Sequence, residues 1–141
     1  MKRSEIAKEK FQCYNCCQSV LTTFADEYEL NEKTALRLAA AFGSGMGRGV
    51  TCGAVTGAYM VLGLKNTSFS SLSEGKANIK AMVKNFNSKF IEKHGSLLCK
   101  ELIEYDLSIP EEAEKASNEG VFDNVCPAFI STAVEILESE F

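Results

Sequence analysis

The sequence predicts an all-α protein, a single helical domain over residues 1–141 with five to seven helices around a buried Gly/Ala-rich helix. Three observations predict it. Every long set of apolar residues recurs at helical spacing, and no stretch holds the period of two that marks a half-buried strand. From Gly49 to Leu64 there is no charged side chain. Those sixteen residues fall short of the ~20 that a bilayer requires, so an all-round apolar helix here belongs in a protein core. Finally, the chain has 141 residues, 45% hydrophobic and 24% charged, with only two prolines and no low-complexity tract. That suits one compact domain.

The first helix is expected from near Ser4. Ile6, Ala7, Phe11 and Tyr14 make one face, and Cys17, Val20, Leu21 and Phe24 continue it out of register, which allows a break near Cys13. Asn31 is a good N-cap for a second helix, with Glu32 in its first turn. Leu36, Leu38, Ala39, Ala40 and Phe42 are its apolar content, and Gly43 can end it.

The glycine-rich run Gly43-Ser44-Gly45-Met46-Gly47-Arg48-Gly49 matches neither G-x-G-x-x-G nor G-x-x-x-x-G-K-[ST], and a helix precedes it where those motifs need a strand. The uncharged helix is expected from about Thr51 to Leu64. Glycine costs ~1 kcal/mol against alanine inside a helix, so Gly53 and Gly57 need a reason. They lie four apart, on one face, beside a second row formed by Ala54 and Ala58. Small residues at that spacing let another helix approach closely. Cys52 is expected in the first turn of this helix. Unpaired N–H groups and the helix dipole stabilise a thiolate there, while burial opposes it.

A polar loop is expected from Lys65 to Ser73, then a helix from about Glu74 to His94 with Ile79, Met82, Val83, Phe86, Phe90 and Ile91 on one stripe. Gly95 is a C-cap. His94, the only histidine, is expected to meet the last carbonyls of its helix. Ser96 can cap a short helix carrying Leu97, Leu98, Cys99, Leu102 and Ile103. Residues 105–123 read as an exposed connector, with a helix-start composition at Pro110-Glu111-Glu112. The last helix begins near Asp123 or Cys126, burying Phe129, Ile130, Ala133, Val134 and Leu137.

Net charge is −4, which gives nucleic-acid binding no electrostatic support. The start, Met1-Lys2-Arg3-Ser4-Glu5, has no apolar signal region, so a cytoplasmic location and no membrane span are expected. Six cysteines in that compartment are normally reduced, so they are not a disulfide framework. Cys13 and Cys16 form a C-x-x-C pair, but no histidine follows for haem attachment and no strand–turn–helix surrounds it. Cys13 and Cys17 read as small core residues.

The run Cys52-Gly53-Ala54-Val55-Thr56-Gly57 resembles the C-G-A-x-x-G motif of a redox-active family named C-GCAxxG-C-C. Asn15-Cys16-Cys17-Gln18 is similar to that family's N-terminal Asn-Cys-x-Gln segment. Cys99 in Cys99-Lys100-Glu101-Leu102 and Cys126, opening the C-terminal helix, match its remaining cysteines. The resemblance covers nearly the whole chain and implies a thiol–disulfide exchange or thiol-relay protein. Cys52 would then be the low-pKa thiol, with Cys16, Cys99 or Cys126 resolving it. The alternative is zinc or an iron–sulfur cluster held by Cys16, Cys52, Cys99 and Cys126 from separate helices. A third reading is a helical interaction domain whose cysteines are merely buried. Members of the family are often encoded near transporter genes, which implies a transporter-associated redox partner. A homo-oligomer stays open at this point.

Overall fold

The structure, a computed structural model, describes residues 1–66 and 71–141. It is all-α. Among the described residues there are nine α-helical segments and no strand. They are α1 (Arg3–Lys10), α2 (Cys16–Phe24), α3 (Glu32–Ala39), α4 (Gly53–Lys65), α5 (Leu72–His94), α6 (Cys99–Ile103), α7 (Pro110–Asn118), α8 (Val121–Asn124) and α9 (Cys126–Glu140). The count exceeds the expected five to seven because two stretches break into shorter pieces.

The first break is at Phe11–Asn15, between α1 and α2. Asn15 takes an extended backbone and caps α2 with a full capping box. Its Oδ1 accepts from Gln18 N–H at 2.8 Å, and the Gln18 side chain accepts from Asn15 N–H at 3.0 Å. The second is the stretch read as an exposed connector, 105–123. It contains α7 and α8, and their Ala116 and Val121 are buried. Glu111 and Glu112 in the first turn of α7 and Pro110 at its start are favourable there, and Gly120 makes the turn at φ +73°.

Smaller differences follow from caps. Helix α3 stops at Ala39, and the chain tightens into a 3-10 turn at Ala40–Phe42. Leu38 points to solvent, 57% exposed, so only part of the apolar content of this segment is core. Helix α5 begins at Leu72, earlier than Glu74, because the Ser71 hydroxyl accepts from Glu74 N–H at 3.1 Å. Residues 67–70 of the expected loop lie outside the described residues. Gly95 ends α5 at φ +86°, as a C-cap glycine does. His94 turns away from the carbonyls: its Nε2 lies 2.8 Å from Thr132 Oγ1, and its ring packs on Phe90 and Phe129.

The core forms where α2 and α9 meet α4. Eight of the thirteen residues of α4 are buried, and its most extensive contact is with α2. Phe24, Phe86, Phe90, Leu21, Leu62 and Ile130 are the largest fully buried side chains. Phe86 and Phe90 of α5 stack at 5.9 Å between centroids, extending the core under α9.

Gly57 explains the close α2–α4 approach. A Cβ there would lie 2.8 Å from the Cys17 carbonyl oxygen and 3.0 Å from Val20 Cβ. At Gly63, in the same helix, a Cβ would meet nothing within 4 Å among the described residues. The same substitution therefore has opposite consequences at the two sites. Gly63→Ala should raise stability by up to ~1 kcal/mol through helix propensity, and Gly57→Ala should lower it by about 1–3 kcal/mol through overpacking against backbone. Urea unfolding of both variants checks this; equal shifts would remove the close-packing explanation.

Candidate functional site

Four cysteines stand at four helix N-termini. Cys16 is the first residue of α2 behind the Asn15 cap, and Cys52 is the N-cap of α4. Cys99 opens α6 and Cys126 opens α9, with Pro127 next in the first turn. All four line one cavity of about 220 Å³. Its other walls are apolar: Phe11, Leu102, Ile103, Leu107, Phe122 and Phe129. Asn15, Ser44 and Gly53 complete the lining, and among the described residues no charged side chain contributes.

Local chemistry places each thiol. Asn15 sets where α2 starts, and its Nδ2 donates to Ala40 O at 3.1 Å, tying that start to the end of the α3 segment. Gln18 Nε2 adds a bond to Leu36 O at 2.8 Å. Gly53 then lets the start of α4 come against the start of α2. A Cβ on it would lie 2.8 Å from Cys16 Cβ and 3.1 Å from Cys17 N. Cys52 and Cys99 are held by a short antiparallel bridge, Thr51 with Leu98. Cys52 N–H donates to Leu97 O at 2.8 Å, and Cys99 N–H donates to Val50 O. This pattern puts Cys52 and Cys99 on the same face of the bridge. The glycine-rich run before it is a left-handed turn, with Ser44, Gly45, Met46 and Gly47 all at positive φ. Gly45 is required twice over: φ is +61°, and a Cβ would lie 2.9 Å from Cys99 Cβ.

The electrostatics separate the thiols. Cys16 and Cys126 titrate as a pair: their side-chain interaction raises the Cys16 pKa well above the ordinary thiol value, helped by burial and by the neighbouring thiols Cys52, Cys126 and Cys99. The same interaction lowers the pKa of Cys126 and outweighs its burial. The opening of α9 adds a favourable dipole. Burial pushes Cys52 up to about 12, although the Ala54 and Val55 N–H groups face its sulfur and oppose the shift without forming a cap bond. Cys99 rises to about 11, through burial and then repulsion from Cys126 and Asp106. Burial thus weighs against the expectation that Cys52 is the low-pKa thiol. Its position at a helix start is right, but the start is buried, and desolvation wins.

The remaining cysteines lie outside the cavity. Cys17 is a core residue, its Sγ 3.8 Å from Met60 Sδ and its pKa pushed to about 11 by burial. Cys13 is exposed rather than core, because the break after α1 turns it outward. The four cysteines expected to ligate a shared metal border one cavity but are not arranged around a common centre. Among the described residues no three His, Cys, Asp or Glu side chains are placed to hold one ion, which for zinc needs sulfurs ~2.3 Å from a common centre. No single helix among the described residues is long and apolar enough to cross a membrane.

Sequence reasoning missed several wall residues. Asn15 was legible as a cap through Asn-x-x-Gln. Ser44, Leu107 and Phe122 come from segments with no helical periodicity, and nothing local marks them.

A family model described as "Putative redox-active protein (C_GCAxxG_C_C)" matches residues 14–140. No curated protein and no solved structure matches the chain.

Alkylation order follows from the thiol electrostatics. Cys52, Cys99 and Cys126 are almost equally buried, at 5%, 7% and 6% exposure, so their relative rates report ionisation rather than access. With iodoacetamide near neutral pH, peptide mapping should find Cys126 modified ahead of Cys99 and Cys52. Cys52 should gain reactivity only as pH climbs toward its value of about 12. Labelling of Cys52 before Cys126 would contradict the assignment.

Proposed function

Since the chain belongs to the C_GCAxxG_C_C family, we propose that it is a cysteine-based redox protein working by thiol–disulfide exchange, with Cys126 as the attacking thiol and Cys16 as its resolving partner. The observation that carries this reading is that Cys16, Cys52, Cys99 and Cys126 line one cavity, where Cys16 and Cys126 shift each other's ionisation in opposite directions.

The steps balance within the pair. The Cys126 thiolate attacks one sulfur of an incoming disulfide; a mixed disulfide forms and one substrate thiolate leaves, taking a proton. Cys16 then loses its proton and attacks the Cys126 sulfur, and the second substrate thiol leaves. The chain is oxidised by two electrons to a Cys16–Cys126 disulfide, and the substrate is reduced to two thiols. Cys16 suits the second step. Its proton is held until the mixed disulfide removes the negative charge from Cys126, so only one thiolate need exist at a time in this apolar space. Cys52 and Cys99, protonated at neutral pH, are poor nucleophiles by comparison and form the rest of the thiol wall.

The reading is tested by equilibrating the reduced chain in dithiothreitol or glutathione redox buffers and counting free thiols. One transition that removes two thiols per chain is expected, with a slope near 30 mV per decade for two electrons. It should vanish in Cys126→Ser and Cys16→Ser, with circular dichroism confirming the fold, and persist in Cys13→Ser. The rate of reaction with a disulfide should rise through a pKa lower than that of the same thiol in the unfolded chain, because the group that must ionise has its pKa lowered in the folded chain. Loss of no thiols, or an unaltered transition in Cys16→Ser, would overturn the proposal.

A further inference from the structure

The geometry points to a substrate class: we infer that the disulfide reaching the Cys16–Cys126 pair is a small, uncharged molecule, and that anionic and protein disulfides are excluded. The inference rests on the thiol-exchange reading and concerns what the cavity admits.

Size is the first argument. The cavity measures about 220 Å³, below the ~300–1,000 Å³ usual for sites that hold drug-sized ligands. Cys52, Cys99 and Cys126 expose 7% or less of their surface. A folded partner therefore cannot bring its own disulfide onto Cys126 without opening the wall.

Charge is the second. Beside the four thiols the walls are mostly apolar, Phe11, Leu102, Ile103, Leu107, Phe122 and Phe129 among them, and among the described residues no charged side chain faces the space. An ion entering it loses hydration and meets no counter-charge. The starts of α2, α4 and α9 also border the space, each with a cysteine at its N-cap or first position, and at α4 the Ala54 and Val55 N–H groups already face the Cys52 sulfur. As the Cys126 thiolate forms, it repels a carboxylate-bearing substrate that approaches within the same low-dielectric space.

The step is the balanced exchange already given, with a neutral organic disulfide as oxidant: it gains two electrons and two protons and leaves as two thiols, and the chain gains one disulfide.

Three disulfides of similar size separate charge from bulk: 2-hydroxyethyl disulfide, neutral; dithiodiglycolate, anionic; and cystamine, cationic. Oxidised glutathione adds bulk. Rates of oxidation of the reduced full-length chain are measured for each and divided by the rate with the same chain unfolded in urea, which removes intrinsic reactivity. The neutral disulfide should be favoured over dithiodiglycolate by at least about tenfold after this normalisation, with oxidised glutathione slower still. Phe122→Ala, which widens the half-buried wall, should narrow the gap between the neutral disulfide and oxidised glutathione. Leu107→Lys, which places a cation on the wall, should speed dithiodiglycolate selectively. Equal normalised rates for neutral and anionic disulfides would overturn this inference while leaving thiol exchange standing. Failure of every disulfide to oxidise the chain would instead overturn thiol exchange, and this inference with it.

Discussion

Helices α2 and α4 touch backbone to backbone, and the thiol cavity depends on that contact. Gly53 and Gly57 face α2 at distances where a methyl group would press on Cys16, Cys17 and Val20. The approach sets the start of α2 beside the start of α4. Without it, Cys16 would stand off from Cys52 and the cavity would lose one side. The helix-propensity cost of two glycines, roughly 1 kcal/mol each, is thus offset by packing that no larger residue permits. The same contact explains why Cys17 is a core residue while its neighbour Cys16 lines the site. Successive residues on a helix point about a quarter-turn apart, so one faces α4 and the other faces the cavity.

Electrostatics then decides which thiol in the cavity is reactive. All four cysteines stand at a helix start, so position along a helix does not by itself single out one of them. Burial and the interaction between thiols do. Cys52 and Cys99 are pushed up by desolvation, while the interaction with Cys16 pulls Cys126 down. Polar interactions of this kind are stronger in an apolar cavity than in water because little solvent competes for either partner. One pair is thereby differentiated within a set of four similar groups.

Much of this was legible in the sequence, and the exceptions have physical causes. The Gly53/Gly57 spacing and the uncharged run foretold a buried helix in close contact with another. Asn31 and Gly95 marked their caps correctly, whereas the cap at Asn15 came only from the structure. The convergence of Cys16, Cys52, Cys99 and Cys126 was suggested by the resemblance to a family, because spacings of dozens of residues carry no local geometric signal. The pKa of Cys52 could not be read, since two opposing effects act on it and only the depth of burial chooses between them. Residues 105–123 looked like a connector because their apolar residues are few, yet Leu107 and Phe122 close the cavity from that segment. His94 went to Thr132, 38 positions away, a partner that no local rule supplies.

The pairing of Cys16 with Cys126 is the claim on which the functional account turns, and a disulfide map tests it most directly. The fully reduced chain, dilute and under argon, is treated with less than one equivalent of a neutral oxidant, quenched in acid, digested and analysed for linked peptides. The account predicts that the first linkage to appear joins Cys16 to Cys126, ahead of any bridge involving Cys13 or Cys17. A first linkage of Cys13 to Cys16, or products joined only between chains, would contradict it.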